Sequence, residues 1–282
     1  MLTWKIGRVT ITRILELEFP LPYDPAAPFM RDATPEALRA MPWLYPDFVT
    51  EEGALRLSFH ALLVDAPGMR LVVDTCFGND RARSMPGDVP LQTPFLAHMA
   101  EAGWPRESVD AVVCTHLHAD HIGWNTMLEA GRWVPTFPNA RYLIGREELD
   151  YWRTKESSAE ELGDAVQPVI DAGLVQLVET DHVLSPEIRL EPTPGHTPGH
   201  VSVMIESEGE RGIISGDFLH HPCQIAHPDW RTMSDTDPDR AEATRHSVLE
   251  RVTDRPVLFI GTHFPAPTGG YIRGKGALRR LV

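Results

Sequence analysis

Three imidazoles and a carboxylate crowd into the run Thr115-His116-Leu117-His118-Ala119-Asp120-His121, where an apolar stretch gives way to a helical one. These donor types suit zinc, iron or manganese. Packing alone is a poor reason for the cluster, because desolvated histidines gain little by burial and repel one another once protonated. One ion does not use all four groups easily. Adjacent Asp120 and His121 cannot both fold back onto an ion held by His116 and His118, so the surplus points to a second ion. Further ligands must then come from elsewhere, and three isolated candidates stand at strand ends. His196 lies in the Pro/Gly-rich turn Pro194-Gly195-His196-Thr197-Pro198-Gly199-His200, Asp217 follows Ile213-Ile214-Ser215-Gly216, and His263 follows Leu258-Phe259-Ile260-Gly261-Thr262. Rigid turns of this kind present a side chain in one direction.

The elements that must position these groups are legible as periodicity. Residues 8–18 read as a strand pair or one bulged strand, and Leu55–Asp65 and Arg70–Asp74 as a hairpin turning at Ala66–Met69. Short apolar strands are expected at 109–115, 140–145, 175–178, 188–191, 200–206, 212–215 and 256–261. Helices are expected from Thr93-Pro94 to Gly103, over 145–153 and over 237–253, and from a capping box of Ser157 and Glu160 toward Gly173. Between Phe19 and Gly53 seven prolines alternate with aromatics and methionines. That density excludes regular sheet and leaves one short helix, with Thr34 as its cap and Pro35 at its first position. Strands that are partly hairpinned and partly alternating with helices fit two mixed sheets covered by helices, in a single domain over 1–282. The Pro/aromatic segment 19–50 is expected to be a lid, a pocket wall or a dimer contact.

Composition narrows the partners. The chain has 282 residues, with 26 Lys+Arg against 40 Asp+Glu and a net charge of −14. Its positive charge is scattered, which argues against nucleic acid as a partner. Three distant cysteines do not suggest structural disulfides. Charged residues interrupt the first 19 positions, and no apolar run approaches the length of a membrane span, so a soluble cytoplasmic protein without membrane partners is expected.

The ordered set HxHxDH, PGHTPGH, GD after a strand and His after a last strand resembles the metallo-β-lactamase fold superfamily, over roughly 55–265. The resemblance implies an α/β fold, a four-layer αββα sandwich of two mixed β-sheets flanked by helices. It also implies a ligand set. His116, His118 and His196 would hold one divalent ion, Asp120, His121 and His263 the other, and Asp217 would bridge them. Asp74, which ends the strand RLVVD, would support the ligands from behind, and His200 would hydrogen-bond within its turn. The ions would share a hydroxide as nucleophile, with zinc the first choice and iron, manganese or cobalt accepted by the same donors. Asp120 would orient that nucleophile and pass its proton to the leaving group.

Within the superfamily, di-iron oxygen reductases carry a carboxylate where this chain has His118, and zinc β-lactamases carry a cysteine where it has Asp217. The branch of lactonases and methyl parathion hydrolase-like enzymes fits best. Acyl-homoserine lactonases of that branch have a substrate-contacting tyrosine three residues after the bridging aspartate, and this chain has His220 there. His220 is therefore expected to face substrate as a catalytic or pocket residue, with Trp43, Phe48 and Trp124 lining an apolar pocket. The implied activity is hydrolysis of a lactone, ester or phosphotriester of a small apolar substrate. The alternatives are a glyoxalase II-like glutathione thioester hydrolase and a metal-binding protein whose activity has lapsed.

Overall fold

The computed structural model describes residues 1–81 and 89–282, and these divide into two compact units. The first comprises Met1, Thr3–Leu17 and Phe59–Thr180, and the second Leu2, Glu18–Ser58 and Asp181–Val282.

In the first unit the strands are β1 (Thr3–Ile6), β2 (Val9–Leu21), β3 (Leu55–Ala66), β4 (Met69–Val73), β5 (Ala111–Cys114), β6 (Thr126–Glu129), β7 (Arg132–Pro135), β8 (Arg141–Gly145) and β9 (Val175–Val178). Strands β2 and β3 carry the chain across the division between the units. Among the described residues, seven strands form a mixed sheet in the order β1-β2-β3-β4-β5-β8-β9. Pairs β3–β4 and β1–β2 are antiparallel, while β4, β5, β8 and β9 run parallel. Every residue of β5 is buried, as a parallel strand covered on both faces requires. The core beside it gathers Val72, Val112, Phe95, Met99, Tyr142 and Ile144. The register pairs Val73 with Val113, so β4 and β5 end side by side and deliver Asp74 and Thr115-His116 to one edge. In open α/β sheets this carboxyl edge is where ligands gather.

The second unit is built on a five-stranded mixed sheet of β10 (Ile188–Pro192), β11 (Val201–Ser207), β12 (Glu210–Ile214), β13 (Val257–Ile260) and β14 (Gly269–Gly270), in that order. Strands β12 and β13 are parallel, with Ile214 opposite Ile260, so Asp217 and His263 leave the sheet at the same edge. Antiparallel β11 begins there, with Val203 opposite Ile214, which returns the turn carrying His196 and His200 to that edge as well.

Helices α1 (Pro35–Arg39), α2 (Phe95–Glu101), α3 (Ala119–Ile122), α4 (Arg146–Arg153), α5 (Ala159–Ala165), α6 (Gln167–Asp171), α7 (Cys223–Ala226) and α8 (Pro238–Val252) complete the main elements. The Thr34 cap forms as expected, its hydroxyl accepting from Ala37 N at 3.1 Å. The aromatic and Pro-rich segment sends Met30, Leu38, Met41, Leu44, Phe48 and Val49 into the core of the second unit with Phe218 and Trp230. Two local expectations need correction. Ser157 caps nothing: α5 begins at Ala159, and Ser158 turns its hydroxyl to Trp152 O at 2.7 Å. The helix expected to run on toward Gly173 is two helices, because Pro168 has no N–H to continue the ladder from α5. The β6–β7 hairpin was not expected, although Ala130 and Gly131 both take positive φ, the conformation of a two-residue hairpin turn.

Candidate metal centre

In the first unit the candidate ligands occupy the turn between β5 and α3. Asp74 organises them. It leaves β4 with a left-handed backbone, φ +57°, which turns its carboxylate across the strand ends. Its Oδ1 accepts from Thr115 N at 2.7 Å and its Oδ2 from Thr115 Oγ1 at 2.8 Å. The same Oδ2 lies 2.9 Å from His121 Nδ1. A carboxylate only accepts, so Nδ1 carries the proton and Nε2 becomes the lone-pair nitrogen of His121. His116 Nε2 and His118 Nδ1 are 3.0 Å apart, and the His116 ring centroid is 4.0 Å from that of His121. His118 and Asp120 keep part of their surface exposed, whereas His116 and His121 are buried.

Glu148, buried on α4, holds this turn from below. Its Oε1 accepts from Leu117 N at 3.1 Å and from Trp152 Nε1 at 2.6 Å, and Trp152 packs edge-on against His118 at 5.2 Å. A second buried carboxylate, Glu16, accepts from Phe77 N at 2.8 Å, Gly78 N at 3.2 Å and Trp124 Nε1 at 2.6 Å. Burial pushes the Glu16 carboxyl pKa up despite these bonds. Trp124, expected in a substrate pocket, is a core residue here, stacked on Phe95 with centroids 5.5 Å apart.

In the second unit His196, Asp217, His220 and His263 converge. Asp217 Oδ2 lies 3.0 Å from His263 Nε2, 3.3 Å from His220 Nε2 and 3.6 Å from His196 Nε2. His263 Nδ1 faces Ser58 O at 3.1 Å, and His196 Nδ1 faces Asp235 Oδ1 at 3.2 Å. Both partners are acceptors, so these rings are protonated on Nδ1 and present Nε2 lone pairs toward a carboxylate oxygen. Burial lowers the His196 pKa and so favours its neutral, ligating form. Lone pairs facing an anion repel unless a cation lies among them, and this donor set fits a divalent ion.

His200 acts on Asp217 through the backbone. Its Nε2 accepts the Asp217 N–H at 2.7 Å, and its Nδ1 donates to Thr193 O at 3.0 Å. Gly216 makes this approach possible, since a Cβ there would stand 2.6 Å from His200 Nε2 and its φ is +58°. Gly195 does the same for the His196 turn, whose backbone lies so close to α8 that a Cβ would meet Ala241 N at 2.1 Å.

Asp235 carries no sequence signal, yet it pairs with His196 on one oxygen and with the fully buried Arg245 on the other at 3.2 Å. Burial raises its pKa, but the His196 hydrogen bond and the positive groups around it prevail and hold it well below the usual carboxylate range. Phe48 is buried with edge-on contacts to Trp43, His221 and Phe264, while Trp43 keeps part of its surface exposed. His221 is structural: it donates from Nε2 to Phe48 O at 2.9 Å and accepts from Cys223 N at 3.2 Å.

The chain is 30% identical over 116 residues to an N-acyl homoserine lactonase of a Bacillus species, covering 41% of this chain and 40% of that one. The match therefore spans about two fifths of the relative's length. Among solved structures, the hydrolase AbOPH of the β-lactamase superfamily superposes with a TM-score of 0.81 at 21% identity, covering 100% of this chain and 96% of that one. AidC, a dizinc quorum-quenching lactonase in complex with a product, gives 0.78 at 21% identity, with coverage of 99% and 96%. At such identities the superpositions show the fold. The model of the metallo-beta-lactamase superfamily matches residues 58–263, a span that starts on β3 and closes on the last histidine of the motif set, and the chain belongs to that superfamily.

Proposed function

We propose that this hydrolase-family chain is a dinuclear metal-dependent hydrolase that opens a lactone or a related ester of a small apolar substrate. The observation that carries the reading is the anchoring of ligand rings through Nδ1, by Asp74 on His121, Asp235 on His196 and Ser58 O on His263, which leaves Nε2 as the donor in each. His116, His118 and His196 are assigned to one ion and Asp120, His121 and His263 to the other, with Asp217 shared. Zinc is the first candidate, since the AidC lactonase is dizinc. When bound, the ions supply Lewis acidity and an acidified water near neutral pH.

The chain's own residues supply the rest. Asp74 and His200 fix His121 and the Asp217 backbone, so the donors need no rearrangement during turnover. Asp120 is the acid–base group, with its Oδ2 3.4 Å from His121 Nε2 and its side chain 20% exposed. Its carboxylate would take a proton from the attacking water as that oxygen joins the carbonyl carbon, and return it to the alkoxide oxygen as the acyl C–O bond breaks. Trp43, through its exposed part, is assigned to the apolar wall.

Metal-analysed protein assayed on acyl-homoserine and aliphatic lactones, aryl esters, a phosphotriester and a glutathione thioester tests this reading. Lactone or ester turnover that disappears on chelation and returns with metal is expected. Turnover of the thioester alone would move the chain to the glyoxalase II type, and metal without any turnover would mean that activity has lapsed.

A further inference from the structure

We propose that His220 is itself a metal ligand, forming with His196 and Asp217 a coordination set whose three members all lie in the second unit; this rests on the dinuclear reading above. The ligand atoms of the three residues lie within 4.8 Å of one another, and all three side chains are buried. His220 Nε2 is 3.3 Å from Asp217 Oδ2, on the same oxygen that His196 and His263 face. Its ring lies parallel to His263, with centroids 6.0 Å apart, and edge-on to His196 at 4.7 Å.

The surroundings argue against a role limited to packing or to substrate. His220 is 3% exposed. Phe29 closes against its ring at 5.6 Å, and its backbone is held by Gln224 Oε1, which accepts the His220 N–H at 2.8 Å. Its Nδ1 is buried with no hydrogen-bond partner among the described residues, so in either tautomer hydrogen bonding satisfies the ring poorly. The remaining neighbour of Nε2, Ser234 Oγ, is at 3.5 Å, the limit of a hydrogen bond. A cation bound beside Asp217 Oδ2 would give Nε2 the partner that Ser234 does not. A tyrosine at this position would present a neutral phenol; the histidine presents an imidazole, one of the commonest ligands of zinc.

The test uses the full-length protein loaded with Co2+, read spectroscopically. In the unaltered protein, hyperfine-shifted proton NMR should show one more exchangeable imidazole N–H than the histidines named as ligands in the preceding section. In His220→Phe and His220→Tyr that extra signal should vanish, the visible cobalt bands should shift, and one ion should bind at least about 10-fold more weakly, by analogy with losses seen when a ligand's support is removed. The NMR count on unaltered protein holds even if a variant fails to fold. A count equal to the previously named ligands, or variants with unchanged bands and affinity, overturns the His220 assignment while leaving the dinuclear reading intact. Failure of the unaltered protein to take up cobalt overturns both.

Discussion

Asp74 Oδ2 stands 2.9 Å from His121 Nδ1, and the same carboxylate closes on both the N–H and the hydroxyl of Thr115. One side chain at the end of β4 therefore sets the tautomer of a ligand histidine and fixes the turn that carries three more candidates. Asp74→Asn keeps the shape and tolerates the left-handed backbone, as asparagine does elsewhere. Its amide cannot accept on both arms. Metal affinity should fall about 10- to 100-fold with little change in fold, measured by chelator competition alongside circular dichroism.

Asp235 serves His196 in the same way, but it also neutralises Arg245, which has no exposed surface. Asp235→Ala strands that guanidinium in the interior. Denaturant unfolding should show a loss of about 3–5 kcal/mol, typical of a broken buried pair. Asp235→Ala with unfolding like that of the unaltered chain would mean Arg245 has another counter-charge.

Glu16 receives donors on both oxygens, from Phe77 N on Oε2 and from Gly78 N, Thr93 Oγ1 and Trp124 Nε1 on Oε1. Glu16→Gln turns one acceptor into a donor facing a donor, which should cost about 1–3 kcal/mol in unfolding free energy. The pH dependence carries a sign. The folded pKa of Glu16 is raised, so its contribution is fullest below the ordinary carboxylate pKa and declines as pH rises through the folded value. The glutamine variant should lose that component of the profile.

The ligand candidates were legible because they follow a repeated grammar: an apolar strand, a tight turn, then a histidine or aspartate. The parallel register of β4 with β5 and of β12 with β13 turns that grammar into two edges lined with donors. Glu148, Asp235, Glu16 and Arg245 were not legible. Each is a single charged residue on an ordinary-looking helix, loop or strand, and only tertiary contact shows that it is buried and paired. Trp124 was misplaced for a related reason. Its position after the ligand turn suggested a pocket, whereas its stacking on Phe95 and its bond to Glu16 make it part of the core. The break at Pro168 was visible in the sequence, but the periodicity on either side of it concealed the division.

The three cysteines are buried and free of disulfides. Burial pushes the Cys114 thiol up to about 12 and raises the Cys76 and Cys223 thiols as well. Native protein should resist iodoacetamide at pH 8 and take up three equivalents only after unfolding, read by mass spectrometry. Rapid native labelling would place a thiol at the surface.

Metal content measured together with lactone hydrolysis, before and after chelator stripping and on titration with Zn2+, tests the dinuclear reading most directly. Activity should vanish on stripping and return in proportion to metal up to about two equivalents per chain, as a two-metal site requires. Hydrolysis that survives complete stripping, or full activity at about one equivalent, would contradict it.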